Sequence, residues 1–250
     1  AIASGKGGTG KTTISVTLAS YLAERFNHVQ LVDCDVEEPN SNLFIKAPLE
    51  KKETVYSFIP VVDEEKCNGC GKCGEICEFS SIVLINNSPL VFPDMCHSCG
   101  GCMLVCPTEA IEEKKKEIGI IEYGTKDNIT YIGGRLNVGQ VMSPPLIKKV
   151  KEEINEDIIS IIDSPPGASC PVIESMHDAD YVILVTEPTP FGLNDLKLAV
   201  NMVREIGINF GIVINRSDVG DNRVVDYCRE ESIDLIVSIP ESREVAEKYS

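Results

Sequence analysis

The stretch Gly5-Lys6-Gly7-Gly8-Thr9-Gly10-Lys11-Thr12 constrains this chain more than any other. Its spacing is glycine, four residues, then Gly-Lys-Thr. It lies between the apolar strand end Ala1–Ser4 and a segment, 11–25, with Ile14, Leu18 and Leu22 at helical spacing. Strand, glycine-rich turn and helix in that order make a phosphate cradle. The glycines let backbone N–H groups converge on an anion, and the helix N-terminus adds its positive end. Lys11 reaches the β- and γ-phosphates, Thr12 offers its hydroxyl to Mg²⁺, and Thr13 continues the binding turn. The expected ligands are ATP or ADP with Mg²⁺.

A buried-strand run follows at 28–34. Alternating α/β punctuation resumes from about residue 118, with strand-like runs at 158–162, 181–186, 210–214 and 235–239. Helical patterns at 144–155, 193–206 and 222–232 separate them. Near-continuous apolar strands divided by helices predict a doubly wound, mostly parallel sheet covered on both faces. The region between differs in character. It is cysteine- and glycine-rich and ends in the charged run 112–117, read here as a solvated connector. The predicted organisation is one α/β domain over 1–58 and 118–250, interrupted after its second strand by a small α+β domain over 59–117.

Eight of the eleven cysteines lie between Cys67 and Cys106. They form two runs, Cys67-x2-Cys70-x2-Cys73-x3-Cys77 and Cys96-x2-Cys99-x2-Cys102-x3-Cys106-Pro107. Thiolates so spaced wrap three corners of a 4Fe-4S cubane, while the fourth cysteine of each run ligates the other cluster. The crossed assignment is Cys67, Cys70, Cys73 and Cys106 for one, and Cys96, Cys99, Cys102 and Cys77 for the second. Zinc is the competing metal, because Cys-x2-Cys pairs also build tetrahedral sites. No internal repeat is expected beyond these two runs. Cys34, Cys170 and Cys228 are expected to be buried and inert, and His28, His97 and His177 to be structural or surface residues.

The segment 59–117 resembles a bacterial two-cluster ferredoxin, with Glu78 standing where such domains usually have proline. The early lysine in Lys6-Gly7-Gly8-Thr9-Gly10-Lys11-Thr12 resembles the deviant Walker A signature of the MinD/ParA/nitrogenase-iron-protein ATPases, P-loop NTPases of the SIMIBI type. That resemblance implies an ATP-dependent homodimer in which Lys6 reaches the partner's nucleotide. It implies that Asp35 orients the attacking water, that Asp33 lies near the metal shell, and that Asp163, in Asp163-Ser164-Pro165-Pro166-Gly167, reaches Mg²⁺ through water. It further implies adenine contacts from Asn215 and from the Ile239-Pro240-Glu241 turn. Residues 134–139 and 143–145 mark where the ATPase half resumes. Tyr249-Ser250 reads as the start of a helix that similar proteins would continue.

Net charge and apolar runs narrow the function classes. A formal charge of −16 repels nucleic-acid backbones and anionic lipid surfaces. No apolar run reaches the ~18 residues of a membrane span, and no secretion signal is evident, so a cytoplasmic protein without nucleic-acid or membrane partners is expected. The leading expectation is a slow, partner-stimulated ATPase that couples nucleotide state to electron transfer through two 4Fe-4S clusters. The alternative is a carrier or scaffold ATPase for iron–sulfur or related metallocofactor assembly, whose relatives bridge their dimer with a C-terminal Cys-x-x-Cys absent from this sequence. Either reading expects an unidentified redox or assembly partner. A positioning ATPase of the cell-division or partition type fits the charge poorly.

Overall fold

In a computed structural model, residues 1–244 are described, and the Tyr249-Ser250 helix start lies outside them. The chain divides into two compact units. One comprises residues 1–52, 121–135 and 147–250, the other 53–120 and 136–146.

The first unit begins with β1 (Ile2–Ser4), α1 (Lys11–Ala23), β2 (Val29–Asp33) and the short α2 (Ser41–Ile45). A long strand, β3 (Leu49–Val62), then leads out of it. The chain returns along β6 (Ile111–Lys126) and turns into β7 (Ile129–Leu136). There follow α5 (Pro144–Lys151), β8 (Ile159–Pro166), α6 (Cys170–Met176), β9 (Val182–Thr186), α7 (Pro190–Ile206), β10 (Phe210–Asn215), α8 (Arg223–Glu230) and β11 (Leu235–Ile239). The sheet order is β11-β10-β9-β1-β8-β2-β7-β6-β3. Pairing is parallel from β11 through to β7.

Successive residues of the central strands point to opposite faces, and two separate cores result. Val182 and Leu184 of β9 and Ile212 and Ile214 of β10 pack with Val172 and Met176 of α6 and Leu196, Val200 and Val203 of α7. Val185 and Val213, one residue out of phase, join Ile2, Leu31 and Ile161 against Val16 and Ala19 of α1. A strand with both faces buried reads as a continuous apolar run, which is why the sequence shows these strands clearly.

Two departures have physical causes. The charged run 112–117 is no connector but part of β6. Most of it is solvent-exposed, so it carries no apolar alternation to betray a strand. β3 is hidden for the same reason, its first six residues being exposed. Asp163 lies inside β8 rather than beyond its end, because the strand continues through Ser164 to Pro166.

The second unit holds α3 (Lys72–Glu75), a hairpin of β4 (Ile82–Ile85) and β5 (Ser88–Val91), and α4 (Gly101–Leu104). The hairpin turns on Asn86 and Asn87, both at positive φ (51° and 63°), the two-residue geometry that suits strand twist. Its core is small: Cys73, Ile82 and Ile111 are buried, with Val62, Leu84, Val91, Cys102, Met103 and Cys106 packed against them.

The repeat in this unit extends beyond its cysteines. Each position of the first run recurs 29 residues later, helix α3 recurs as α4, and Ile82 recurs as Ile111. The backbone repeats too. Left-handed φ at Gly69, Gly71 and Ser80 (68°, 85°, 51°) reappears at Ser98, Gly100 and Glu109 (56°, 71°, 51°).

Candidate nucleotide site and cysteine cavities

The phosphate loop lies between β1 and α1 as its sequence requires. Gly8 and Gly10 have φ of 80° and 88°, values open to glycine at little cost. α1 starts after Gly10 with no side-chain cap, so its first N–H groups stay available for an anion. Thr9 Oγ1 in the loop is buried without a hydrogen-bond partner, a second mark of a cradle built for polar contacts.

Lys11 is buried and donates from Nζ to Asp163 Oδ1 at 3.1 Å, with Asp35 Oδ2 at 3.9 Å. Ser15, one helical turn after Lys11, donates to the same Asp163 oxygen at 2.9 Å, and Ser41 Oγ donates to Oδ2 at 2.9 Å. Asp33 accepts backbone N–H bonds from Asp35 (3.1 Å), Asn40 (3.1 Å) and Ser41 (2.9 Å), so its carboxylate pins the segment that follows β2. Burial raises its pKa, and the neighbouring Asp163 charge adds to the rise. Asp35 is pushed up to about 6 by burial, which outweighs the opposing charge of Lys11. Two buried carboxylates, Asp163 and Asp35, thus flank the Lys11 ammonium beside the phosphate loop and offer oxygens to a divalent cation. Thr12 lies at the start of α1, where its hydroxyl would join that cation's ligands, and Thr13 follows it.

Lys6 is partly exposed and stands 3.4 Å from Glu187 Oε2, while Arg216 reaches Oε1 of the same carboxylate at 3.0 Å. Asn215 is found against the phosphate loop, where its Nδ2 donates to Thr9 O at 2.8 Å. A Cβ at Gly10 would collide with that amide. A Cβ at Gly5 would strike the backbone carbonyl of Asp195 in α7. The loops after β10 and β11 meet, Ser217 N donating to Ile239 O at 2.9 Å and Glu241 N to Asp218 Oδ1 at 2.7 Å, which puts Pro240 beside the Asn215 loop.

The eight clustered cysteines line two cavities of the second unit. Cys67, Cys70, Cys73 and Cys106 line one. Cys77, Cys96, Cys99 and Cys102 line the other. Each cavity thus takes three cysteines from one run and the fourth from its copy. Among the described residues, no three His, Cys, Asp or Glu side chains converge on a single ion position. Thiols spread around a cavity suit a multi-atom inorganic group better than one tetrahedral ion, whose sulfurs must all lie ~2.3 Å from a point.

The two crossing cysteines are furnished with donors. Ser81 N–H lies 3.3 Å from Cys77 Sγ and Ala110 N–H 3.3 Å from Cys106 Sγ, one repeat apart. Burial acts upward on Cys77, but the Ser81 hydroxyl and nearby N–H groups outweigh it and lower its pKa. Cys106 is lowered in the same way, by N–H bonds from Ala110 and Thr108 that outweigh its burial. Burial alone dominates at Cys102, which rises to about 11.

Outside the runs the expectations divide. Cys34 and Cys228 are buried, and burial drives the Cys34 pKa up. Cys170, expected to be buried, is exposed: it is the first residue of α6, where the helix begins at the surface. His97 stacks on Phe79, ring centroids 3.4 Å apart, at the second cavity. Ser41, at the start of α2, and Glu187, directly after β9, carry no motif in the sequence that marks them as site residues. Ser15 carries a legible signal, its i+4 spacing from Lys11.

Comparison with known proteins agrees with the first unit's geometry. The model of the CobQ/CobB/MinD/ParA nucleotide binding domain matches residues 1–250. Two uncharacterized proteins of Methanocaldococcus jannaschii are similar, one 35% identical over 88% of this chain and 79% of its own length. The other is 31% identical over 93% and 90%. An iron-sulfur cluster carrier protein of Aquifex aeolicus is 25% identical over 99% of this chain and 58% of its own length. Among solved structures, the septum site-determining protein MinD of Pyrococcus horikoshii, complexed with Mg-ADP, superposes with a TM-score of 0.58. It is 20% identical, over 99% of this chain and 83% of that one, and shows the shared fold. No helix among the described residues is long and apolar enough to cross a membrane.

Proposed function

The chain belongs to the CobQ/CobB/MinD/ParA nucleotide-binding family, and from that premise we propose that it is an ATP-dependent iron–sulfur protein, a carrier or scaffold for cluster assembly. Mg-ATP is bound by residues 5–13, with Lys11 on the phosphates and Thr12 and Asp163 at the metal. Asp33 acts by holding the loop that carries Asp35. Asp35 orients the attacking water, a role supported by its carboxylate standing 3.9 Å from Lys11 Nζ and by burial that raises its pKa to about 6. Lys6 completes the site across a homodimer, which requires it to leave Glu187. Asn215, whose amide donates to Thr9 O, and Pro240, next to the segment after β10, contact the base.

The observation that carries the iron–sulfur half is the crossed lining of the two cavities. Cys67, Cys70, Cys73 and Cys106 hold one 4Fe-4S cluster; Cys96, Cys99, Cys102 and Cys77 hold the second. On this reading 59–117 is an inserted ferredoxin-like domain between the ATPase segments 1–58 and 118–250, and it falls within the compact unit of 53–120 and 136–146. Clusters supply one-electron capacity or transferable iron and sulfide. The named carrier relatives support the second use, which reverses the order expected from sequence. Electron transfer remains as a second reading because one observation favours it: cysteines of both cavities share one apolar cluster, Cys73 buried within it and Cys102 and Cys106 packed against it.

Anaerobically reconstituted protein mixed with an apo-ferredoxin decides between them. Iron transfer accelerated by Mg-ATP supports the carrier reading. Full retention, with cluster potentials that move on adding Mg-ATP, supports electron transfer. Indifference of both transfer and potentials to nucleotide overturns the coupling altogether.

A further inference from the structure

The 29-residue repeat allows the two cavities to be compared position by position, and they differ in hydroxyl groups. At the cavity of Cys77, Cys96, Cys99 and Cys102 the lining includes Ser81 and Ser98. The equivalent positions at the other cavity are Ala110 and Gly69. Ser81 is buried, and its Oγ lies 3.1 Å from Cys77 Sγ. Ser98 Oγ is buried and has no partner. Its left-handed backbone (φ 56°) is one its counterpart Gly69 adopts without strain, so serine there costs conformational energy. A buried hydroxyl left unpaired costs still more. A group occupying the cavity and accepting a hydrogen bond would remove that second cost. The first cavity's nearest equivalent is weaker: Thr108 Oγ1 stands 3.7 Å from Cys106 Sγ.

We propose that Ser81 and Ser98 donate hydrogen bonds to the sulfur atoms of the group held by Cys77, Cys96, Cys99 and Cys102, making the two cavities inequivalent. The inference rests on the iron–sulfur reading above. Reduction adds negative charge to a cluster, and donors to its sulfurs favour the more negative form. Each hydroxyl therefore raises the reduction potential of this cluster and leaves the other untouched. The aromatic lining of Phe58 and Phe79 lowers polarity around it but is unchanged by the test substitutions.

The repeat itself supplies those substitutions. Ser81→Ala and Ser98→Gly install the residues that the other copy already carries, and Ala110→Ser is the reciprocal change. EPR-monitored redox titration of the reconstituted chain, with iron and sulfide determined for each variant, reads the outcome. Each removal is expected to shift one of the two reduction equilibria about tenfold toward the oxidised form, ~59 mV for one electron. Ala110→Ser is expected to shift the other one in the opposite sense. Full iron and sulfide with unmoved potentials, or both potentials moving together, would overturn the proposal. Wild-type protein that assembles no cluster would overturn the reading beneath it, and the iron and sulfide values distinguish that failure from the first.

Discussion

The phosphate-loop site and the cysteine cavities are built in opposite ways. The first is assembled from the ends of β1, β2, β8 and β10, and its polar groups are tied by bonds that span the chain, such as Lys11 to Asp163 and Asn215 to Thr9. Two apolar cores support it. The second is written into 40 contiguous residues, 67–106, as a pair of local loops whose glycines and serines set the backbone. Among the described residues its apolar cluster is small, built on Cys73, Ile82 and Ile111, and one of these is a candidate ligand, Cys73. A site on a packed scaffold is formed before its ligand arrives. A site with so little core draws folding energy from what it binds.

The largest expected effect follows from that contrast. Removing iron with a chelator should unfold residues 53–120, seen as loss of hydrogen-exchange protection there, while protection of β1, β8 and β9 persists. Equal protection in both states would break the comparison. Next in size, Lys11→Ala removes a buried ammonium from a carboxylate-rich site. Nucleotide affinity should fall by about 2–5 kcal/mol, at least ~30-fold by calorimetry, with cluster content unchanged.

Cys77→Ser sharpens the crossed assignment. Bound iron should drop by about half, and the surviving cluster should be the one held by Cys67, Cys70, Cys73 and Cys106. A surviving cluster dependent on Cys96 would refute the crossing. Asp33→Asn removes one acceptor from three backbone N–H groups. It should cost about 1–3 kcal/mol in urea unfolding of the first unit. Lys6→Ala should change little in binding while abolishing hydrolysis, measured as phosphate release. Unchanged hydrolysis would remove the trans role from Lys6.

The same contrast explains what could be read in advance. Loop, helix and central strands were legible because glycine spacing and doubly buried strands leave strong local patterns, as in Val29–Asp33 and Val182–Thr186. The grouping of cysteines around each cavity follows from their spacing along the chain. β3 and β6 were not, since exposed strands rich in Glu and Lys resemble connectors. Ser41 and Glu187 join the site only through topology. Ser98 stands out only by its left-handed φ and its unpartnered buried hydroxyl, where its twin is Gly69.

The central claim is that one polypeptide holds a triphosphate in the 5–13 loop and two cubanes in the cysteine cavities. Determining iron, acid-labile sulfide and bound nucleotide together on anaerobically reconstituted protein tests it most directly. The account predicts about eight iron and about eight sulfide per chain, with one Mg-ATP. Colourless protein without sulfide, or protein carrying zinc in place of iron, or loss of nucleotide binding in the fully loaded chain, would contradict it.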